Sequence, residues 1–195
     1  MKLKILFFAL ILWLLFFHES TVSYGPGVMA PDDPVQQKLE KTSSFVFKEQ
    51  IIIPLASFHI EAKVLSVEHY RFDKEATLSP MDLALGWGRM SDEKVLEEID
   101  ISQSRRWYRW HTDTLPIPRR EIETHSANMH MIPADDEVDS ILEKVRKGDI
   151  VRLDGMLIQA EEPSGAKWVS SLSRTDTGAH ACEVVFVRKA EIVYY

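Results

Sequence analysis

Asp135-Asp136-Glu137-Val138-Asp139-Ser140-Ile141-Leu142-Glu143-Lys144-Val145-Arg146-Lys147, followed at once by Gly148-Asp149-Ile150-Val151-Arg152-Leu153-Asp154-Gly155-Met156-Leu157-Ile158, is the stretch on which the fold turns. Its first part predicts a helix, with acids at the start, Lys144, Arg146 and Lys147 at the end, and Val138, Ile141, Leu142 and Val145 along one face. Gly148 stops that helix and hands the chain to an apolar strand, which Gly155 interrupts. A helix leading into a strand of the pattern K-G-D-x-V-x-L-x-G, in a chain whose strands outnumber its helices, points to a mainly β fold with a few helices (α+β). The expected build is a small, partly open β-barrel, OB-like, preceded by an N-terminal hydrophobic helix.

Working outward, Phe58, Ile60, Ala62 and Val64 alternate with His59, Glu61 and Lys63, the period of a strand packed on one side. The apolar parity then moves to Leu65 and Val67, which predicts a bulge. Ser79-Pro80 has the form of a helix start and predicts a short turn over residues 81–85 that Gly86 ends. Ser91-Asp92-Glu93 opens a second short helix reaching about Ile99. Residues 103–111, with Trp107, Tyr108 and Trp110, predict one strand, and residues 167–172, 182–187 and 190–195 predict three more.

At the other end of the chain, Lys2 and Lys4 precede an uninterrupted apolar run over residues 5–17. A short cationic start before such a run marks a signal peptide or an N-terminal membrane anchor, here assigned to residues 1–24. The run would reach about 20 Å as a helix against roughly 30 Å of hydrocarbon, a length that favours a signal peptide. Proline after Gly25 and after Ala30 disfavours cutting there, so Thr21-Val22-Ser23, cut before Tyr24, is the best site. An anchor left in place, as a transmembrane helix with its N-terminus inside, fits the positive-inside rule equally well. Residues 25–44, with Pro26, Pro31 and Pro34 among polar residues, are expected to be a linker, and residues 45–195 a single extracytoplasmic β-rich domain. The expected localisation is the bacterial envelope, membrane-anchored with the domain outside the cytoplasm or secreted.

The chain of 195 residues carries a net charge of −7, which disfavours nucleic acid and anionic lipid as partners of the domain surface. Cys182 is the sole cysteine, so no intrachain disulfide forms and the fold rests on its apolar core. The expected partners are the membrane, through the N-terminal segment, and a protein or small-molecule ligand; no cofactor is called for.

Chemistry concentrates in three polar segments: Thr124-His125-Ser126-Ala127-Asn128-Met129-His130, the turn from Ser170 to Gly178, and Ala179-His180-Ala181-Cys182-Glu183. Together with Gly25-Pro26-Gly27 and Leu83-Ala84-Leu85-Gly86-Trp87-Gly88, they make the chain look like a family of exported or membrane-anchored bacterial proteins to which no activity is attached. That resemblance implies localisation and single-domain architecture only. Asn128, His130, Arg174 and Asp176 are the candidate binding residues, expected on adjoining loops with Arg174 and Asp176 paired.

An enzymatic alternative uses His125, Cys182 and Arg174, or Arg188 in its place, an order that resembles the His, Cys and Arg of sortase transpeptidases, without the Thr-Leu-x-Thr-Cys run of that family. It would make the protein a Cys/His-dependent hydrolase or transpeptidase; against it stands a Cys182 that simply packs as a small hydrophobe. His125 and His130, five apart, with His180 and Glu183 elsewhere, have the ligand chemistry for zinc or copper but not the helical spacing. No G-x-S-x-G surrounds Ser170, Ser171 or Ser173, and Asp176-Thr177-Gly178 occurs once, so neither a serine triad nor an aspartic dyad is complete. Trp87, Trp107, Tyr108, Trp110 and Trp168 offer stacking area for sugar or peptide, although Trp107 and Trp110 have opposite parity on a strand. Alkaline phosphatase fused after Ser44 is expected to be active in a bacterial host; an inactive fusion, with a cytoplasmic reporter active at the same point, would reject the export assignment.

Overall fold

The alternation that starts at Phe58 belongs to a much longer strand. In the computed structural model, which describes residues 21–173, 176 and 181–195, strand β3 runs from Gln50 to His69 and is preceded by β1 (Val35–Lys38) and β2 (Phe45–Phe47). β4 (Met81–Gly86) follows, then a 3-10 turn (Gly88–Ser91), α1 (Glu93–Leu96), and a separate hairpin of β5 (Asp100–Ser104) and β6 (Trp107–His111). α2 (Arg119–Thr124), β7 (Ser126–Pro133), α3 (Asp136–Leu142), β8 (Ile150–Glu161), β9 (Lys167–Val169) and β10 (Glu183–Val193) complete the order. The chain is mainly β with three short α-helices among the described residues, an α+β fold.

Five strands pair in the order β3-β4-β7-β10-β8, and β8 pairs back to β3. All of these pairs are antiparallel except β7 with β10. The length of β3 makes the circuit possible: Ile51–Lys63 pair with β8, whereas Lys63–His69 pair with β4. The register shifts between Val64 and Ser66, where the change of apolar parity predicts a bulge, and this bend carries β3 from one neighbour to the other. Gly155, opposite Val187 and beside a second shift in β8–β10, lies so close to β10 that a Cβ would sit 2.1 Å from the Phe186 carbonyl oxygen. Its lack of a side chain permits the approach, and β8 runs through it without interruption.

Several expected elements take another form. Residues 81–85 are strand, not helix, because Met81, Leu83 and Leu85 point into the main core while β3 and β7 supply hydrogen bonds on both edges. Residues 103–111 are two strands folded at Arg105-Arg106, both with positive φ (51° and 66°), the two-residue turn that matches strand twist. The polar segment 124–130, expected as a loop, is mostly β7: Ala127, Met129 and Met131 face the main core, with Ser126, Asn128 and His130 on the other side. The strands expected at 182–187 and 190–195 are one, β10. Residues 25–44, expected as a linker, contain β1, which pairs with Ala56–His59 of β3. The hydrophobic segment over residues 1–20 lies outside the described residues, none of whose helices is long and apolar enough to cross a membrane.

Three apolar clusters follow from this topology. The largest fills the circuit and includes Phe58, Ile60, Leu83, Met129, Leu153, Val185 and, from the α3 segment, Val138, Leu142 and Val145. α3 is capped by Asp135, whose carboxylate accepts from the Val138 amide at 2.9 Å, and its regular part ends at Leu142, short of the expected Lys147. The other two clusters lie elsewhere: Ile52, Ile132, Ile158 and Phe186 under Phe45, Phe47 and Trp168, and Leu65, Ala84, Met90 and Ile122 under Tyr108 and Trp110. Leu142 is fully buried, so Leu142→Ala is expected to cost about 2–5 kcal/mol in denaturant unfolding.

Candidate functional site

The polar residues of β4 and β7 sit between the two outer clusters, with Ala84 in one and Ile132 in the other. At the centre is Asp82, with no solvent exposure, opposite His130 in the β4–β7 register. A buried carboxylate of this kind is tolerable only with charged or hydrogen-bonding partners. It has them: His130 Nδ1 lies 2.8 Å and Arg106 Nη1 3.1 Å from Oδ1, Asn128 Nδ2 donates to Oδ2 at 3.2 Å, and the Tyr70 hydroxyl also bonds to the carboxylate.

Arg106 reaches Asp82 from the tip of the β5–β6 hairpin, and its guanidinium is spent entirely inside the protein. Nε and Nη2 donate to the two oxygens of Asp73 (3.0 and 2.8 Å), and Nη1 and Nη2 also donate to Ser79 Oγ and the Ser79 carbonyl (3.2 and 2.9 Å). Its Cζ lies 3.8 Å from the centre of the Tyr70 ring, and its backbone amide donates to the Tyr70 hydroxyl at 3.0 Å. Burial and the Asp82 charge push the Tyr70 phenol well above its ordinary range. The fork geometry of guanidinium suits this double duty; lysine could not repeat it.

The network continues outward from Asn128. Gln103 Nε2 donates to Asn128 Oδ1 at 2.6 Å, and Asn128 Nδ2 lies 3.9 Å from Cys182 Sγ. Next to it, the Tyr108 hydroxyl donates to Ser126 Oγ at 3.0 Å, which donates to the Ile122 carbonyl at 2.6 Å; burial pushes the Tyr108 phenol up to about 12. A cavity of about 300 Å³ opens over these side chains, lined by Trp107, Tyr108 and Trp110 on one side and by Asn128, Asp176, Cys182 and Glu183 among the rest. On the far side of the network, His130 packs its ring 4.7 Å from that of Trp168.

The candidates named from sequence divide accordingly. Asn128 and His130 belong to the Asp82 network, and Asp176 accepts from Ser171 Oγ at 2.6 Å while lining the cavity. Arg174 and His180 lie outside the described residues, as does the expected Arg174–Asp176 pair. His125 is held elsewhere: Nδ1 is 3.2 Å from the Glu121 carbonyl oxygen, Nε2 is 3.7 Å from Asp33, and the ring packs against Trp87. It is five residues from His130 along nearly extended chain, roughly 16 Å, and the two share no partner as metal ligands would. Among the described residues no three His, Cys, Asp or Glu side chains gather as a metal site.

Among the described residues the hydrogen-bond partner of Cys182 is Asn128, not an imidazole. Burial first, then the negative charge of Glu183, push its thiol up to about 11, the opposite of what a nucleophile requires. Trp87 is buried with its indole N–H on Asp33, Trp110 packs on the outer cluster beneath Arg119, and Trp107 is 45 % exposed. The parity argument thus separates Trp107 from Trp110. Asp82, Arg106 and Gln103 were not singled out from sequence; Asp82 carries a signal, an acid inside the apolar run Met81-Asp82-Leu83-Ala84-Leu85.

No family model, curated protein or solved structure matches this chain.

Arg106→Ala leaves Asp82 buried without its cation and is expected to cost about 3–5 kcal/mol in equilibrium unfolding, while the pair Asp82→Asn with Arg106→Met recovers much of that loss. Cys182 is expected to react with iodoacetamide at pH 8 at least tenfold more slowly than free cysteine, because so little of it is thiolate.

Proposed function

We propose that the circuit β3-β4-β7-β10-β8 is a small OB-like barrel and that the protein is a non-catalytic binding module of the bacterial envelope, held outside the cytoplasm. The pairing order supports the first part. Numbered by their place in the circuit's sequence order, the strands run one, two, three, five, four and back to one, with the third and fifth parallel and α3 between the third and fourth. Barrels of this type bind oligosaccharides and oligonucleotides on the face of the second and third strands and on the adjoining loops.

The single observation that carries the binding reading is the coincidence of that face with the cavity. β4 and β7 are the second and third strands: Ser126, Ala127 and Asn128 of β7 line the cavity with Trp107 and Tyr108, and Asn128 is held there by Asp82 of β4, which also holds His130 on the far side. Aromatic faces beside amide and carboxylate acceptors suit a sugar ring, which stacks its C–H face and donates its hydroxyls. Asp176, Glu183 and Glu123 around the cavity, and the net charge of −7, oppose a polyanion. A neutral or amino-bearing saccharide is therefore the ligand class this surface fits.

Titration of the protein with neutral and amino-sugar oligosaccharides, followed by tryptophan fluorescence, is expected to give a saturable change. Trp107→Ala should abolish it and leave the melting temperature near that of the wild type, since Trp107 is half exposed. Saturable binding of a peptide library with no response to sugars would replace the ligand class, and binding of single-stranded DNA would overturn the electrostatic argument.

A further inference from the structure

Lys63 is 2 % exposed at the middle of β3, and Glu93 is its partner at 2.8 Å. Lys63 Nζ donates in addition to the Gly148 carbonyl at 3.1 Å. The other donors to Glu93 come from the start of the described chain: Ser23 Oγ at 2.6 Å, the Tyr24 amide at 2.8 Å and the Gly25 amide at 3.1 Å. Burial would raise the Glu93 carboxyl, yet the hydrogen bonds from Lys63, Ser23 and Tyr24 and the Lys63 charge bring it down to about 2.

The contacts continue on both sides of this pair. The Val22 amide donates to the Lys147 carbonyl at 2.8 Å, and the Val22 backbone crosses Gly148 so closely that a Cβ there would lie 1.8 Å from the Val22 carbonyl oxygen. Gly27 donates to Asp92 Oδ1 at 2.9 Å, and Met29 and Ala30 donate to Ser91 Oγ at 3.1 and 3.0 Å. Residues 22–30 are thus stitched donor by donor to Lys147 and to residues 91–93. A flexible linker leaves such groups to water.

We infer that residues from Thr21 onward are an integral part of the domain, that the chain keeps its N-terminal apolar run after export, and that this run holds one end of the domain directly against the lipid bilayer. The inference rests on the export reading proposed above. The best processing site, before Tyr24, would remove Val22 and Ser23 with their bonds to Lys147 and Glu93. From Phe17 to Thr21 the chain spans at most about 14 Å, so the end of the domain around Val22 lies within or next to the headgroup layer.

That end is composed for such a place. The Tyr24 ring meets Tyr195 edge-on at 5.6 Å and its hydroxyl donates to the Val193 carbonyl at 3.1 Å, which brings the C-terminal residues to the same end. Tyr194 and Tyr195 are 76 % and 65 % exposed, and Lys147 flanks Val22. Exposed tyrosines and a basic side chain are what a membrane interface accepts. Acids stand at this end too: Glu93 and Glu97 share a groove with Thr21 and Val22, and the Asp149 charge reaches the Tyr24 phenol.

The test is made on the full-length chain expressed in a bacterial host with a C-terminal tag. Intact mass of the tagged protein is expected to include residues 1–23, in a membrane fraction that resists alkaline carbonate; a soluble protein beginning at Tyr24 overturns the inference. Membranes carrying the chain are then treated with dilute proteinase K. Glu93→Gln is expected to speed release of the domain at least tenfold, whereas Leu142→Ala, which weakens the core without touching residues 21–30, should not do so to that degree. Equal rates for wild type and Glu93→Gln also overturn it. A C-terminal alkaline-phosphatase fusion keeps the two readings apart, since an inactive fusion rejects export while the release rates still report on the segment.

Discussion

One strand must serve two neighbours, and everything else in this protein is arranged around that requirement. β3 gives its first thirteen or so paired positions to β8 and its last turn of extended chain to β4, with the register shift between Val64 and Ser66 as the point of transfer. A regular strand of twenty residues cannot do this, because the inward parity of Phe58, Ile60, Ala62 and Val64 would next bring the polar Ser66 and Glu68 into the core. The extra residue at the bulge resets the parity and bends the strand, so that both halves bury an apolar face. β1 and β2 then cover the edge of β3 that β4 has not yet reached, which leaves little of that strand unpaired.

Closing the circuit produces an inside and an outside, and the outside of β4–β7 is where burial becomes expensive. Two apolar clusters flank it, yet Asp82, Asn128 and His130 stand between them, all buried. Replacing them with apolar residues would merge the clusters into a continuous second core. Their presence commits the fold to deliver a cation to Asp82, and the β5–β6 hairpin does so by placing Arg106 at a turn where two successive non-glycine residues hold positive φ. That backbone conformation costs on the order of 1 kcal/mol per residue. A second hairpin turn, at Lys48-Glu49, has the same conformation away from Asp82, so strain alone does not mark the site. What marks it is the conjunction of buried charge, satisfied amide and an aromatic-lined cavity above them.

The same logic of a buried charge recurs at Lys63. Lys63 faces outward from β3 into a place closed by α1, and Glu93 neutralises it. Because that carboxylate has lone pairs to spare, it also collects Ser23, Tyr24 and Gly25, and Asp92 and Ser91 extend the row of acceptors to Gly27, Met29 and Ala30. A segment rich in proline and glycine, with no apolar period of its own, is ordered in this way by acceptors on a neighbouring helix start. Its conformation is a property of α1 as much as of its own residues.

From composition and periodicity alone, several features of this protein are determined: a mainly β chain, the strand around Phe58–Val64 with its bend, the Asp135-capped helix, and the polar character of Asn128, His130 and Asp176. Each depends on interactions between residues close in sequence, which period and capping express directly. The strands at 81–86 and 126–133 were legible only as alternation of Met and Leu with polar residues, a weak pattern that Ser79-Pro80 and the His/Asn content masked. Long-range pairing with β3 and β10 overrides those local signals, since hydrogen bonds along both edges and an apolar inner face outweigh turn propensity. The site divides along the same line. Asn128 and His130 could be picked out by type, but Asp82, Arg106 and Gln103 enter it through contacts spanning 24 to 48 residues of sequence. His125 and Cys182, joined on paper by their chemistry, are parted in the fold: one imidazole turns to Asp33 and Trp87, the thiol to Asn128. Which side chain meets which across a closed sheet is set by register, and register is decided only when all five strands pair at once.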